Sequence, residues 1–189
     1  MSIIFFTEGK NDVDFLTHIH RNNVGENFDT YIDQETDGTQ DTRIRQHLLD
    51  NSIPYLYKGE GGKSEVIKKF RSQTPDFGDY ELTLFVDFDG EGKDAFQDLL
   101  NKKLDEHYHG GLRANIVELE RYSVFAEYRL VIEVRGDKHK AVDLFAFYES
   151  LEDIVGIDDS DSRPMKKRKI RRYIEANPGV ERDVSEQIF

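Results

Sequence analysis

The chain has 189 residues, no cysteine, and a formal net charge of -12 from 38 acidic against 26 basic residues. That length fits one domain with an ordinary core. The lack of cysteine excludes disulfides and Cys-ligated zinc or iron–sulfur sites, and a uniformly acidic surface repels nucleic acid. With 37% hydrophobic residues, 13 Phe and 9 Tyr, the chain should fold rather than stay disordered. No apolar run approaches the ~20 residues of a membrane span. The start, MSIIFFTEGKND, has no basic leader and meets charge at Glu8, so it does not read as a signal peptide. A cytoplasmic protein without a membrane partner is the expectation.

In chain order, SIIFF at 2–6 is a short apolar run that reads as a buried strand. A helix over 11–23 follows, with Val13, Leu16 and Ile19 at helical spacing. Residues 25–41 are polar and read as a loop, and RIRQHLLD as a short helix. IPYLY at 53–57 is the second strand, followed by glycines and a helix over 63–71. LTLFVDF at 82–88 is the third strand, with a helix over 93–107 presenting Phe96, Leu99, Leu100 and Leu104. Strands are expected near 114–119 and 129–134, a helix over 138–155, and a last helix over 165–176 that stops before Asn177-Pro178-Gly179. Strand alternating with helix argues for an α/β fold with a mostly parallel sheet of four to five strands flanked by helices.

Ligands of parallel sheets sit beyond the carboxyl ends of the strands. There the chain places Glu8-Gly9 after the first strand, Gly59, Gly61 and Gly62 after the second, and Asp87, Asp89 and Gly90 after the third. If the first and third strands are neighbours, Glu8 converges with Asp87 and Asp89. Those two aspartates are i and i+2, so both face one side while Phe88 turns away. Carboxylates gathered at one point repel unless a cation neutralises them. Hard oxygen donors suit Mg²⁺ or Mn²⁺, which often share their shell with phosphate oxygens. A metal-dependent phosphoryl-transfer or phosphodiester reaction is the inference. The structural alternative is that these acids merely cap a turn and a helix.

Glu8-Gly9-x-x-Asp12 after one apolar strand, then Asp87-x-Asp89-x-x-Gly92 after another, resembles the Toprim domain. Topoisomerases, bacterial-type primases, and nucleases of the OLD and ribosomal-RNA-maturation kinds share that domain. The KGEGGK loop resembles that of OLD-type Toprim domains. SLEDIVGI followed by KIRRYIEANP is similar to the end of small stand-alone Toprim-like proteins. The resemblance covers residues 1–120 well and the remainder loosely, and it implies a single Toprim-like domain over 1–189. It implies Glu8 as general acid/base or metal ligand, Asp87 and Asp89 as catalytic Mg²⁺ ligands, and Asp12 as ligand of a second metal. Glu91 and Glu120 would be further ligands. The chain shows no place for a topoisomerase tyrosine domain, a primase zinc domain or an OLD ATPase domain. A compact nuclease therefore stands beside a non-catalytic binding module whose missing parts come from a protein partner.

Rival motifs are weaker. Gly62-Lys63-Ser64 resembles a P-loop end, but the required earlier glycine is Tyr57. VDFDGEG resembles the first motif of haloacid-dehalogenase-type phosphatases, with Asp87 as nucleophile, but that leaves Glu8 unexplained. The six histidines form no metal signature and read as surface or capping residues. RPMKKRKIRR at 163–172 holds seven cations and no acid. On a helix, Lys166, Lys169 and Arg172 share a face that would track a phosphate backbone, or would simply offset nearby carboxylates. Lys10, Lys63 and Lys93, beside the strand ends, complete the expected nucleic-acid contacts.

Overall fold

The computed structural model describes residues 3–32, 54–73 and 81–189. They form β1 (Ile3–Thr7), α1 (Lys10–Asn23), β2 (Phe28–Ile32), β3 (Tyr55–Gly59), α2 (Lys63–Gln73), β4 (Glu81–Asp87), α3 (Gly92–Tyr108), β5 (Leu112–Arg121), β6 (Phe125–Val134), β7 (Asp137–Phe147), α4 (Leu151–Val155), α5 (Arg163–Ala176) and α6 (Pro178–Ile188). The strands make one sheet in the order β2-β3-β1-β4-β7-β6-β5. From β2 to β7 the pairs are parallel; β7-β6 and β6-β5 are antiparallel.

The central strands are apolar throughout because helices cover both faces. Ile4 and Phe6 of β1, Leu84 and Val86 of β4, and Leu144 and Ala146 of β7 pack on one face against Val66, Ile67 and Phe70 of α2 and Phe96, Leu100 and Leu104 of α3. Phe5, Phe85, Phe145 and Phe147 face the other way, against α1, Leu151 of α4, Ile170 and Ile174 of α5, and Val180 and Val184 of α6. Among the described residues no helix is long and apolar enough to cross a membrane.

The α/β class and the mostly parallel sheet agree with the sequence, but the described residues form seven strands rather than four or five. The polar stretch 25–41 contains β2, an edge strand on which Asp29 and Thr30 are exposed and only Tyr31 is buried. The expected helix over 138–155 is β7 followed by the short α4. Strand β7 is buried on both faces, so its run VDLFAF hides the period of two. The signal for it was Arg135-Gly136, whose φ angles of 51° and 91° make the tight turn of the β6–β7 hairpin. Asn177-Pro178-Gly179 ends α5 as expected but also opens α6, with Pro178 in its first turn. The expected helix in RIRQHLLD lies outside the described residues.

His20 is not a surface residue. It is fully buried, with ring contacts to Phe28, Tyr55, Tyr57 and Phe189. Nε2–H donates to Asn27 Oδ1 (2.8 Å) and Nδ1 accepts from Tyr57 OH (2.7 Å), which selects one neutral tautomer.

At the far edge, α3 covers the outer side of β5 with side-chain amides. Asn101 Oδ1 accepts from Ala114 N–H (2.8 Å) while its Nδ2 donates to Ala114 O (2.9 Å), and Gln97 Oε1 accepts from Ile116 N–H (2.6 Å).

Candidate metal and catalytic site

Strands β1 and β4 are parallel neighbours at the middle of the sheet, with Thr7 opposite Phe85. Glu8 therefore leaves β1 beside the end of β4, and its Oε1 accepts the backbone N–H of Asp87 at 2.9 Å. Four residues on, Asp12 lies in the first turn of α1 and accepts the Gly9 N–H at 2.7 Å, which satisfies a donor at the helix start. Asp87 Oδ2 accepts the Leu151 N–H at the start of α4 (3.1 Å). The other Asp87 oxygen, Oδ1, is buried without a hydrogen-bond partner. Asp89 follows in the left-handed region (φ 51°), as do Gly90 and Gly92, so the chain reverses within a few residues into α3. Lys63, at the start of α2, is ion-paired with Asp89.

The loops pack tightly enough to dictate glycine. A Cβ on Gly59 at the end of β3 would lie 3.0 Å from the carbonyl carbon and oxygen of Gly9 and 3.1 Å from Ile32 Cδ1. Gly59 thus lets the Glu8-Gly9 turn rest on its neighbour strand.

Electrostatics set this cluster apart. Burial pushes Glu8 up to about 7, against the Asp87 N–H and the Lys63 charge, with Asp89 and Glu152 adding to the rise. Burial, then the Glu8 charge, pushes Asp87 up to about 8. Asp12 is held well above the carboxylate range by burial, then by Asp87, Glu8 and Glu152. Like charges in a poorly solvated crevice raise one another in this way, and a cation reverses the effect.

Glu8, Asp12 and Asp87 thus act on one another at the strand ends, while Asp89, left-handed, half exposed and paired with Lys63, does not continue the strand alternation expected of Asp87-Phe88-Asp89. As the side chains stand, no three acidic or histidine residues among those described form a closed metal cage. The donors nevertheless fit a hard divalent cation in kind. All are carboxylate oxygens, each has one oxygen held by a protein donor, and Asp87 Oδ1 is buried and unpartnered.

Glu152 was not found in the sequence. It lies on α4 at the end of β7, acts on Glu8, Asp12 and Asp87, and accepts from Asn11 Nδ2 at 2.7 Å. The usable signal was Ser150-x-x-Asp153, a helix start in which Ser150 Oγ accepts the Asp153 N–H. Read as a helix beginning after a strand, it would have placed Glu152 at a fourth strand end.

Other candidates are placed elsewhere. Glu120 stands on the outer strand β5 opposite Glu127. Glu91 is exposed at the start of α3. It helps line a cavity of about 450 Å³ beside the Asp89–Gly92 turn, with Lys93, Arg121, Tyr128 and Tyr148. Lys93 is ion-paired with Asp94 (2.5 Å). Lys169 is held by Asp161 (2.5 Å) and the Gly156 carbonyl (2.7 Å), so the expected stripe of Lys166, Lys169 and Arg172 is not a row of uncommitted cations. No protein-family model matches the chain, and no curated protein matches it.

Proposed function

We propose that the chain is a Mg²⁺- or Mn²⁺-dependent enzyme that cleaves nucleic-acid phosphodiesters, a Toprim-type nuclease formed as one domain over 1–189. The observation that carries this reading is the meeting of Glu8 and Asp87 across adjacent strand ends, where burial and then like charge push both carboxyls up. The order of Glu8, Asp87 and Asp89 along the chain supports the Toprim resemblance. Glu8, Asp12, Asp87 and Asp89 would hold the metal, with Glu152 beside them. A bound divalent cation would stabilise charge on phosphate oxygens and lower the pKa of a bound water.

The chain's own groups do the rest. Glu8 is fixed through Oε1, which leaves Oε2 to accept or return a proton near neutral pH. Asp87 is oriented by the Leu151 N–H and Asp89 by Lys63. The test is incubation with single- and double-stranded DNA and RNA and either metal. Glu8→Gln and Asp87→Asn are each expected to lower cleavage by about 10³-fold or more. Cleavage that survives both substitutions rejects the site. Metal binding without cleavage of any substrate points instead to a binding module that works with a protein partner. An aspartyl-phosphate formed on Asp87 from a phosphate monoester, with release of the alcohol, points to the phosphatase chemistry.

A further inference from the structure

The carboxylate cluster faces α1, where Lys10 opens the helix and Arg163 and Lys167 are both committed to Asp14. Across the end of β4 lies a different kind of surface. Phe88 turns away from the carboxylates into the core shared with α3, where its ring centroid is 5.5 Å from that of Phe96 and 5.4 Å from that of Tyr128. The Phe88 N–H donates to Phe147 O (2.9 Å) and the Gly90 N–H to Tyr148 O (2.8 Å). The end of β4 is thereby tied to the end of β7, and Tyr148 stands beside the Asp89–Gly92 turn. Phe88, Tyr128 and Tyr148 are walls of the cavity of about 450 Å³ that Glu91 helps to line. That volume lies within the roughly 300–1,000 Å³ of small-molecule sites.

Hydrogen bonds fix these walls. The Tyr148 N–H donates to Val124 O (3.1 Å) and its hydroxyl to Tyr122 O (3.1 Å), so the ring is held at both ends. Arg121, at the end of β5, grips Glu118 through Nε (3.2 Å) and Nη2 (2.8 Å), which sets its guanidinium 5.7 Å from the Tyr148 ring centroid. A Cβ on Gly92 would meet nothing within 4 Å, so the cavity is open beside the first turn of α3.

The charges do not suit a phosphate. Lys93 is paired with Asp94 and Arg121 with Glu118, and Glu91 and Glu149 add two further carboxylates. What the cavity offers is ring faces, a guanidinium plane and carboxylate acceptors. Those are the groups that hold a nucleobase: any base has a face to stack, and carboxylates accept from its N–H groups. Guanine presents two adjacent donors, N1–H and the N2 amino group, to a carboxylate. Thymine and uracil flank their one N–H with carbonyl oxygens, which a carboxylate repels.

We infer that the cavity receives one unstacked base of a single-stranded substrate, from the nucleotide beside the phosphate held at the carboxylates, and that guanine fits it best. This rests on the nucleic-acid reading above. The segment from Asp87 to Gly92 joins the two places, since it begins in the carboxylate cluster and ends at the cavity.

The experiment is anisotropy of two fluorescein-labelled oligothymidylates across a salt series, one of them with a single central guanine, and with Ca²⁺ in place of Mg²⁺ to hold cleavage back. The guanine probe is expected to bind about ten-fold tighter. Arg121 is largely exposed, so Arg121→Lys should fold, as thermal melting would verify. It keeps the charge and loses the plane, and should weaken the guanine probe about five-fold. The salt slope should stay unchanged, because no phosphate contact is lost. Arg129→Lys makes the same exchange on the opposite face of the sheet and should leave affinity unchanged. Tyr148→Leu should cost about ten-fold, while Tyr148→Phe, which keeps the ring, should bind as the wild type does. Equal affinity for the two probes, or wild-type affinity in both Arg121→Lys and Tyr148→Leu, overturns the base site while the nuclease reading stands on its cleavage assay. Absence of binding by the wild-type chain to either probe at low salt overturns both.

Discussion

At the end of β3, Lys58 and Glu60 are almost fully buried and ion-paired at 2.5 Å, with the Lys58 ammonium 4.9 Å from the Phe6 ring and 5.5 Å from that of Tyr31. At the ends of the neighbouring β1 and β4, Asp12 and Asp87 are buried and Glu8 half-buried, and Lys63, the cation acting on Glu8, is itself paired with Asp89. Moving charge out of water is costly wherever it happens. At β3 the fold offsets that cost with an opposite charge and ring faces. At β1 and β4 it gathers like charges against a single nearby ammonium, the arrangement that the proposed cation would relieve.

The largest effect expected from this contrast is at the compensated pair. Lys58→Met should lower stability by about 3–5 kcal/mol, because it removes the ammonium paired with the buried Glu60 carboxylate. A denaturant melt showing under 1 kcal/mol, a deliberately low bar against that figure, would mean that Glu60 is solvated and the contrast is false.

Next comes Gly59, which lies between Lys58 and Glu60 and carries the Gly9 turn. Gly59→Ala should cost about 1–3 kcal/mol through overpacking, and, if Glu8 holds a metal as proposed, should weaken Mg²⁺ binding measured by calorimetry, because the displaced neighbour is the turn that carries Glu8. Stability loss with unchanged metal affinity would separate the two groups more sharply than proposed here.

Asp87→Asn should act in the opposite direction to Lys58→Met. In metal-free protein at pH 8 it removes a buried group that must either hold a proton or repel its neighbours, and should stabilise by roughly 1–2 kcal/mol; the gain should shrink as pH falls and vanish at about pH 3, where the unfolded group is protonated as well.

The smallest effect is in the pH profile of the metal-free wild type. Burial pushes Glu8 up to about 7 and Asp87 up to about 8 in the folded chain, against the ordinary 4.5 and 3.8 of exposed carboxyls. Between those limits the folded state holds protons that the unfolded chain has released. Stability is therefore greatest below the window and falls as pH rises through it. The melting temperature should drop between pH 5 and pH 8, and added Mg²⁺ should raise it more at pH 8. A melting temperature that rises with pH would contradict the uncompensated cluster.

How much of this was legible follows from where each residue lies. Glu8 and Asp87 were readable because β1 and β4 are short apolar runs that end abruptly in charge, and strand ends are where parallel sheets bind ligands. Lys58 and Glu60 gave no such warning, since their neutralisation depends on rings brought from β1 and β2. Glu152 was hidden because β7, buried on both faces, reads as part of a helix continuing into α4. Strand β2 was hidden for the opposite reason: at the sheet edge, solvent takes Asp29 and Thr30, and little apolar pattern remains. Seven basic residues among the ten of 163–172 showed that a helix was cationic. Only the burial of Ile170 and Ile174 shows which of them turn toward α1.

The amides of Asn101 and Gln97 also have a consequence for how the sheet ends. An outer strand offers its backbone as a template on which another chain can grow. By satisfying Ala114 and Ile116 from within, α3 makes this half of β5 behave as though an eighth strand were already in place. Lateral growth there would have to break hydrogen bonds before forming any. The remaining half of β5, where Val117 and Leu119 are exposed, is the direction in which self-association would begin if the protein were crowded or heated.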